Sequence, residues 1–478
     1  MYVVDETGYD TFHTNKTRLF RIVTTVEEGG NEKHCSSAQV PMAEELEAKY
    51  TSVEHAVRFM RFNRELFEVP ERDAKFYEEK FYYADPSVFE VFSFPFISGD
   101  AATALVGINK AVLTESTAKR FFGTADAVGK TFVSKGTTFT VTAIAEDVPH
   151  NSSIQFDGLV SAKNFSAAWA SSWTSWFPET FVLVANNSTP TDIDSALWKI
   201  SKQHVTPIFK DLGMNISYIL QPITDIHLKS SFDAEGGDPV EYVYIFLSIG
   251  LFVVIVVCIN YVNLATARAT RRAKEIGIRK AIGSTKGNIM LQFVAESMLL
   301  TVASLMNSVM LTFALLPFFN QLAGKNIETQ FLLQPSIILA SIGLALFVGL
   351  VGGSYPAFYL SRFNPALVLK GTISPGTTNA TLRKVLVSTQ FAISIAMIIC
   401  TSIVYDQLNF MRNRDLGFNR DQVLYVQLAD SATQANEQLL YDRLKSHSSV
   451  IDVATSASMP GKGINYAAMN VDTENGEP

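Results

Sequence analysis

A glycine-rich stretch with one lysine is the first candidate for a chemical site in the sequence. Five residues separate Gly123 from Gly129-Lys130-Thr131. A phosphate-binding loop has only four residues between its first glycine and the Gly-Lys-Thr end, follows a strand and opens a helix. Here a predicted helix precedes the loop. The stretch therefore predicts a turn that enters a β-hairpin, and not a nucleotide site.

Single ionisable and aromatic residues carry weaker signals. His227 has no cluster of carboxylates, cysteines or further histidines near it in the sequence, which favours a structural role. Glu296 begins a long apolar run, where a proton-relay acid is one interpretation and helix capping or packing is the favoured one. Trp169, Trp173 and Trp176 recur at helical spacing, which predicts one helix face packed in the core. Contact with a partner or with hydrophobic cargo is the alternative for the tryptophans.

A short basic and apolar segment is the strongest candidate for function. It reads Glu275-Ile276-Gly277-Ile278-Arg279-Lys280-Ala281-Ile282-Gly283. A basic anchor for a neighbouring transmembrane helix would not need the isoleucines, and exposed isoleucines are an apolar liability unless another surface covers them. The segment therefore predicts a docking surface, with a simple topology anchor as the alternative.

The elements around this segment are long apolar runs. Crossing a bilayer takes about 20 apolar residues. A buried core helix would suit shorter runs better, so we predict four transmembrane helices. The mean hydropathy of +0.16 predicts soluble domains joined to these spans. The predicted spans cover about 242–264, 297–319, 336–359 and 385–405. Gly349 and Gly353 in the third span have the spacing of a close helix–helix contact.

Basic residues orient the spans. Loops rich in lysine and arginine stay in the cytoplasm, so both basic loops are predicted to be cytoplasmic and residues 1–240 and 408–478 external. The net charge of −7 argues against a nucleic-acid partner. The basic residues of the first loop are Arg268, Arg271, Arg272, Lys274, Arg279, Lys280 and Lys286, against Glu275 alone, and those of the second are Arg362, Lys370, Arg383 and Lys384.

The external residues predict an α+β domain. Strands are predicted at 19–26 and 55–62, helices at 42–50 and 115–122, and a hairpin over 131–144 that turns at Lys135-Gly136. Residues 423–427, 435–444 and 450–454 repeat a strand–helix–strand order, which predicts the start of a second external domain in 408–478. The expected fold is thus an α+β ectodomain (1–240) with an α-helical transmembrane bundle (241–407).

Several stretches together resemble MacB/FtsX-type ABC transporter permeases. The blocks RRAKEIGIRKAIG at 271–283 and QFVAES at 292–297 resemble the FtsX-type signature between two spans. Residues 84–89, 118–123, 128–131 and 222–228 resemble the MacB-like periplasmic core domain. The first residues have neither the basic nor the apolar region of a signal peptide. The resemblance implies a further span upstream and more of the second half downstream. The sequence then represents the middle of such a permease.

The resemblance implies a mechanical subunit. It implies that Glu275 to Gly283 docks on a separate cytoplasmic ABC ATPase, which binds ATP and Mg²⁺, while this chain binds no cofactor and is not itself an enzyme. It implies an inner-membrane protein among lipids, working as a homo- or heterodimer, with a periplasmic or outer-membrane partner. Export of drugs, peptides or lipoproteins is the expected function. An FtsX-like signalling subunit is the alternative, and a membrane-anchored ectoenzyme is disfavoured because its catalytic groups are missing from the sequence.

Overall fold

The chain forms two units. The computed structural model describes residues 2–62, 64–230, 240–323, 327, 329–361, 377–414, 423–428 and 431–456. One unit, here called the sheet unit, comprises Asp5–Val240 with Leu424–Pro478. The other, called the helical unit, comprises Met1–Val4 with Glu241–Val423. The predicted loop residues Arg362 and Lys370 and the residues from 457 onwards lie outside the described part.

The sheet unit is built on one mixed sheet. Its strands are β1 (Leu19–Glu28), β2 (Asn31–Cys35), β3 (Val53–Arg61), β4 (Glu65–Val69), β5 (Ala74–Glu78), β6 (Phe81–Ala84), β7 (Phe96–Ser98), β8 (Lys110–Thr114), β9 (Thr131–Ser134), β10 (Thr137–Ala145), β11 (Gly158–Ser161), β12 (Glu179–Val184) and β13 (Met214–Pro222). The order is β13-β1-β12-β3-β6-β11-β8-β10-β9-β4-β5, with β2 beside β1 and β7 beside β10. The β8–β10 and β6–β11 pairs are parallel. This topology confirms the predicted α+β class and the predicted hairpin.

Short helices cover and connect the sheet. They are α1 (Tyr2–Glu6), α2 (Met42–Lys49), α3 (Val88–Val91), α4 (Glu115–Phe122), α5 (Ala167–Ala170), α6 (Pro190–Ile200), α7 (Thr206–Phe209) and α8 (Ile226–Lys229). The limits of α4 follow from its end residues. The Thr114 hydroxyl accepts the Thr117 N–H, and Gly123 ends the helix in the left-handed region at φ 77°. Both are the residue types that favour helix ends.

Phenylalanines fill the core where α4 meets the sheet. Phe67, Phe81, Phe121 and Phe132 are all fully buried. The Phe121 ring of α4 lies 5.8 Å from the ring of Phe132 in β9 and 4.9 Å from that of Phe76 in β5. Truncating one of these rings to alanine would cost about 3–5 kcal/mol. This packing explains why the helix predicted at 115–122 forms.

The helical unit contains long apolar helices. They are α9 (Val240–Arg271), α10 (Ala273–Ala281), α11 (Lys286–Ala323), α12 (Pro335–Ser361) and α13 (Thr377–Asn413). Four of them are long and apolar enough to cross a membrane, namely all except α10. A helix satisfies its own backbone hydrogen bonds, which the bilayer interior requires. Among the described residues, these helices confirm the prediction of four helices long and apolar enough to span a membrane.

Small residues let the spans approach closely. A Cβ atom built on Gly349 would lie 2.8 Å from the Met298 sulfur, and one on Gly353 would lie 2.8 Å from the Ser297 Cβ. The Ser297 hydroxyl donates to the Gly349 carbonyl at 2.8 Å. Gly352 leaves space in the same way for the ring of Tyr261. The close helix contact predicted for Gly349 and Gly353 is therefore confirmed, between α11 and α12.

The predicted repeat of strand, helix and strand is only partly correct. The helical part is present as α14 (Ser431–Ala435) and α15 (Glu437–Lys445). Residues 423–427 and 450–454 have no regular secondary structure, so both strand predictions are wrong. A strand needs a neighbour for its backbone groups, and among the described residues these two segments pair with none. Their apolar side chains are exposed, as Leu424 and Ile451 illustrate.

Candidate functional site

The predicted docking segment forms a helix with a defined end. Residues from Glu275 to Ala281 lie in α10, Ile282 is its terminal residue, and Gly283 follows in the left-handed region at φ 105°. The Ile282 N–H donates to the Ile278 carbonyl at 3.0 Å. A Cβ on Gly283 would meet nothing within 4 Å, so the backbone conformation is what favours glycine here. The segment is therefore a separate element between α9 and α11.

The isoleucines of this segment differ in exposure. Ile276 is 4% exposed, whereas Ile278 is 44% and Ile282 is 81% exposed. The prediction that all three isoleucines are exposed is thus wrong for Ile276, which packs within the unit. Ile278 and Ile282 are four residues apart and share a helix face. They leave an apolar pair on the surface of α10.

A closed ring of hydrogen bonds ties α10 to α11. We call it the Arg–Glu ring, and its members are Arg272, Glu275, Arg279, Gln292 and Glu296. Arg272 donates to Glu296 at 2.8 Å and to Glu275 at 3.2 Å. Arg279 donates to Glu275 and to Gln292, both at 2.8 Å. Gln292 closes the ring by donating to Glu296 at 3.0 Å.

The ring explains what several predicted residues do. Hydrogen bonds to Glu296 and Glu275 raise the pKa of Arg272, and the bond from Arg272 lowers the pKa of Glu275. Partial burial, with the charge of Lys286, lowers the pKa of Lys280. Arg279 is engaged inside the ring, while Glu296 is a pairing residue that holds α11 to α10. The packing interpretation of Glu296 therefore fits the geometry better than the proton relay.

Arg272 and Gln292 were not among the predicted site residues. The i, i+3 spacing of Arg272 with Glu275 and the i, i+4 spacing of Gln292 with Glu296 are the sequence signals that could have found them. These signals predict pairs within one helix only. The bonds from Arg272 to Glu296 and from Arg279 to Gln292 cross between helices, and they depend on how the chain turns at Gly283.

The glycine-rich stretch is a turn, as its spacing predicts. Gly123 ends α4 and Thr131 begins β9, so no helix N-terminus follows the loop. The Lys130 ammonium lies 3.0 Å from a carboxylate oxygen of Glu71 and above the ring of Phe122. A phosphate loop needs a free lysine beside a helix start. This lysine supports the fold at the surface.

His227 does have carboxylates near it, contrary to the sequence interpretation. Its Nε2 lies 2.7 Å from a carboxylate oxygen of Glu6, and the ring of Tyr9 stacks on it at 3.4 Å. His150 Nε2 lies 2.8 Å from Asp5 in the same way. These pairs bring together residues more than 140 positions apart in the chain. The sequence could not place them, but the structural role predicted for His227 fits.

Asp10 and His13 complete a group that we call the acid–histidine cluster (Asp5, Glu6, Asp10, His13, His150 and His227), in which the three acids and His13 are buried and His150 is exposed. Asp10 accepts the Ser153 N–H at 2.9 Å, and burial raises the pKa of its carboxyl. Burial lowers the pKa of His13 to about 4. The neutral His13 ring accepts the Ser93 N–H at Nδ1, 3.1 Å away. The cluster fastens the first residues of the sheet unit to distant loops.

The tryptophans do not share one helix. Helix α5 ends at Ala170, and the following residues form turns, so the helix predicted from their spacing is wrong. Trp173 stacks on His204 at 4.5 Å and Trp176 on Phe209 at 5.3 Å, which supports the core interpretation for both. Trp169 is largely exposed beside Phe177. Turns bring the rings to separate neighbours, which a helical period does not describe.

The histidines, acids and cysteines of the described part of the chain were the candidates for a metal site. There, no group of histidine, cysteine, aspartate and glutamate residues has a geometry that could hold a metal ion. The cysteines Cys35, Cys258 and Cys400 are free thiols. The ring side chains bond to one another, and the cluster pairs Asp5 with His150 and Glu6 with His227, an arrangement that suits positioning.

Comparison with known proteins identifies both units. The model of the MacB-like periplasmic core domain matches residues 1–200, and that of the FtsX-like permease C-terminal domain matches residues 247–365. Together they define an inner-membrane protein with a periplasmic domain. The chain belongs to the family of MacB-like ABC transporter permeases.

Individual relatives are similar over limited stretches. A macrolide export ATP-binding/permease protein, MacB, from Bdellovibrio bacteriovorus is 34% identical over 26% of this chain and 18% of its own length. MacB from Mannheimia succiniciproducens is 26% identical over 44% of this chain and 33% of its own length. The chain thus spans a third or less of either relative.

Solved structures of similar domains each cover less than half of the chain. A permease domain from Porphyromonas gingivalis has a TM-score of 0.41 at 22% identity, covering 45% of this chain and 92% of that domain. The periplasmic region of MacB from Actinobacillus actinomycetemcomitans has a TM-score of 0.30 at 14% identity, covering 41% of this chain and 87% of that region.

Proposed function

We propose that this chain is a permease subunit that converts ATP hydrolysis by a separate cytoplasmic ABC ATPase into movement of its periplasmic domain. The observation that carries the proposal is the exposed pair Ile278 and Ile282 on a helix held to a transmembrane helix by the Arg–Glu ring. ATP and Mg²⁺ would bind to the ATPase and not to this chain. The relatives named above carry ATP-binding and permease functions under one name, so the separate ATPase is part of the proposal.

The apolar pair suits a protein groove. Exposed isoleucine side chains place apolar surface in water, which is unfavourable in free energy. Burial against a partner removes that unfavourable contribution. Helix α10 has nine residues, a length that is marginal for an isolated helix. Its attachment to α11 lets a push on Ile278 and Ile282 reach the membrane. This is the geometry that mechanical coupling requires.

The direction of coupling follows from charge. The basic loop that contains α10 belongs in the cytoplasm by the positive-inside rule, where ATP is available. The sheet unit belongs in the periplasm, as its family model indicates. We propose export of drugs, peptides or lipoproteins, a range consistent with the macrolide export named for the relatives. We further propose that two permease chains act together.

Photo-crosslinking tests the docking surface. A crosslinking amino acid at Ile282 in the membrane-embedded chain should capture a protein that mass spectrometry identifies as an ABC ATPase. The same amino acid at Gly136, in the β9–β10 turn, is the matched control and should not capture it. Ile278→Asp should abolish the product, because burying an unpaired charge costs several kcal/mol. A product without an ABC ATPase, or one unchanged by Ile278→Asp, would contradict the proposal.

A further inference from the structure

The Arg–Glu ring has an odd number of members, and this limits which side chains can close it. Each link needs one donor and one acceptor. Arginine only donates and an ionised carboxylate only accepts, so a ring of five such groups cannot alternate throughout. One member must do both. Gln292 does, since its Oε1 accepts from Arg279 at 2.8 Å and its Nε2 donates to Glu296 at 3.0 Å.

We infer that Gln292 is the residue that closes the ring, and that Gln292, Arg272 and Glu296 are positioning residues for the docking surface of α10. Arg272 and Glu275 lie at the start of α10, Arg279 lies near its end, and Gln292 and Glu296 lie one turn apart on α11. The ring therefore holds α10 at both ends. This sets the direction in which Ile278 and Ile282 face.

The ring also joins two separate blocks of the sequence. Arg272, Glu275 and Arg279 belong to RRAKEIGIRKAIG, while Gln292 and Glu296 belong to QFVAES. The turn at Gly283 folds one block back on the other. Because a nine-residue helix is marginal alone, its backbone protection depends on this attachment and on the burial of Ile276. Opening the ring should therefore loosen α10 without unfolding the spans.

The carboxylate and the amide can exchange places, which provides a sharp test. Gln292→Glu places two carboxylates side by side and breaks the last link. Glu296→Gln removes one charge. In the double variant, the carboxylate now at position 292 accepts from Arg279 and from the amide now at position 296, and the oxygen of that amide accepts from Arg272. The double variant has the net charge of the natural chain, and its ring is closed again in the reverse sense.

Hydrogen exchange of the full chain in lipid nanodiscs measures the effect. Amides of 275–282 should exchange about fivefold faster in Gln292→Glu, as expected for an exposed polar link. The double variant should return to within about twofold of the natural chain. Lys384→Gln, a charge change at an exposed residue of α13, should leave these rates unchanged, and peptides of the sheet unit serve as the internal control. The inference is overturned if Gln292→Glu exchanges like the natural chain, or if the double variant resembles Gln292→Glu.

The effect of the ring on docking rests on the proposed function, and a separate crosslinking measurement tests it. The crosslinking yield from Ile282 to the ABC ATPase should fall in Gln292→Glu and recover in the double variant. If the natural chain gives no such product, the proposed function fails while the exchange results still decide the ring. If Gln292→Glu disturbs membrane insertion, recovery of insertion in the double variant supports the ring, and a double variant that also fails contradicts it.

Discussion

The acid–histidine cluster and the Arg–Glu ring use similar bonds in opposite surroundings. In the cluster, Asp10 and His13 are 0% and 1% exposed. In the ring, the side chains of Arg272, Glu275 and Arg279 are 37%, 43% and 47% exposed. Both fasten a short chain segment to a larger element at bond lengths near 2.8 Å. Only the surroundings of the bonds differ.

Because the two regions differ in burial, we expect the cluster to contribute to stability and the ring to positioning. Removing one partner from a buried polar group leaves the other without water or a bond, which costs much. An exposed ion pair is screened by solvent and contributes about 1 kcal/mol or less. We therefore expect the cluster to determine whether the sheet unit holds its first residues in place. The ring should determine how α10 is oriented and contribute little to overall stability.

The largest expected effect tests whether the two regions face opposite sides of the membrane. With the three native cysteines replaced, a cysteine at Thr285, beside the ring, should react with an impermeant reagent only from the cytoplasm. A cysteine at Gly136, in the sheet unit, should react only from outside. The result is all or none, because a charged reagent does not cross the bilayer. Labelling of both positions from one side would contradict the orientation.

Asp10 sharpens the contrast between buried and exposed groups. Asp10→Ala removes the acceptor for Ser153 N–H and should destabilise the attachment of residues 8–18 by about 3 kcal/mol, measured by hydrogen exchange of their amides. Asp10→Asn is the matched control and should cost below about 1 kcal/mol. Asparagine keeps the acceptor and tolerates the left-handed φ of 55° at this position. Equal effects of the two variants would mean that the hydrogen bonds accepted by Asp10 do not stabilise the segment.

The buried histidine makes the cluster sensitive to pH, unlike the ring. The pKa of His13 is about 4 in the fold, below its usual 6.5. The opened segment therefore takes up a proton first as pH falls. The contribution of His13 is fully present above pH 6.5, and about 2 kcal/mol of it should be lost by pH 5.

Exchange of the 11–18 amides, corrected for intrinsic rates, measures this loss. The raised pKa of Asp10 acts in the opposite direction, stabilising the segment as pH falls. His13→Asn retains a side-chain acceptor for the Ser93 N–H and removes the titration. Its exchange should consequently lose the His13 part of the pH dependence. A variant with the same pH profile as the natural chain would assign that dependence to other groups.

The smallest effect is expected at an exposed pair within the sheet unit itself. Lys130→Met removes the bond to Glu71 and should change the stability of the β9–β10 hairpin by about 0.5 kcal/mol or less. The rate of ATP hydrolysis measured in the purified preparation should be the same for Lys130→Met and for the natural chain. A large loss of hairpin stability would contradict the expectation that an exposed ion pair contributes little. Loss of ATP hydrolysis on Lys130→Met would support the phosphate-loop interpretation.

Much of the architecture could be predicted from local patterns. The spans at α9, α11, α12 and α13 follow from apolar length, and the 131–144 hairpin follows from β-forming residues around Lys135-Gly136. These signals are local, because each depends on neighbouring residues only. The predictions of a tryptophan helix and of strands at 423–427 and 450–454 were wrong because these elements depend on contacts with distant residues. A helical period or a β-rich run does not specify the packing or the strand partner that would stabilise it.

Composition and motif order were enough to predict the membrane helices, the α+β class of the sheet unit and the position of the candidate docking segment, because they are properties of the linear chain. Which side chains meet became visible only in the folded molecule. Folding buried Ile276 while leaving Ile278 and Ile282 exposed. It closed a ring through Gln292, and it brought Glu6 to His227 across more than 200 residues. Those contacts depend on how distant segments turn and pack. The burial of each contact then determines how much it contributes to stability.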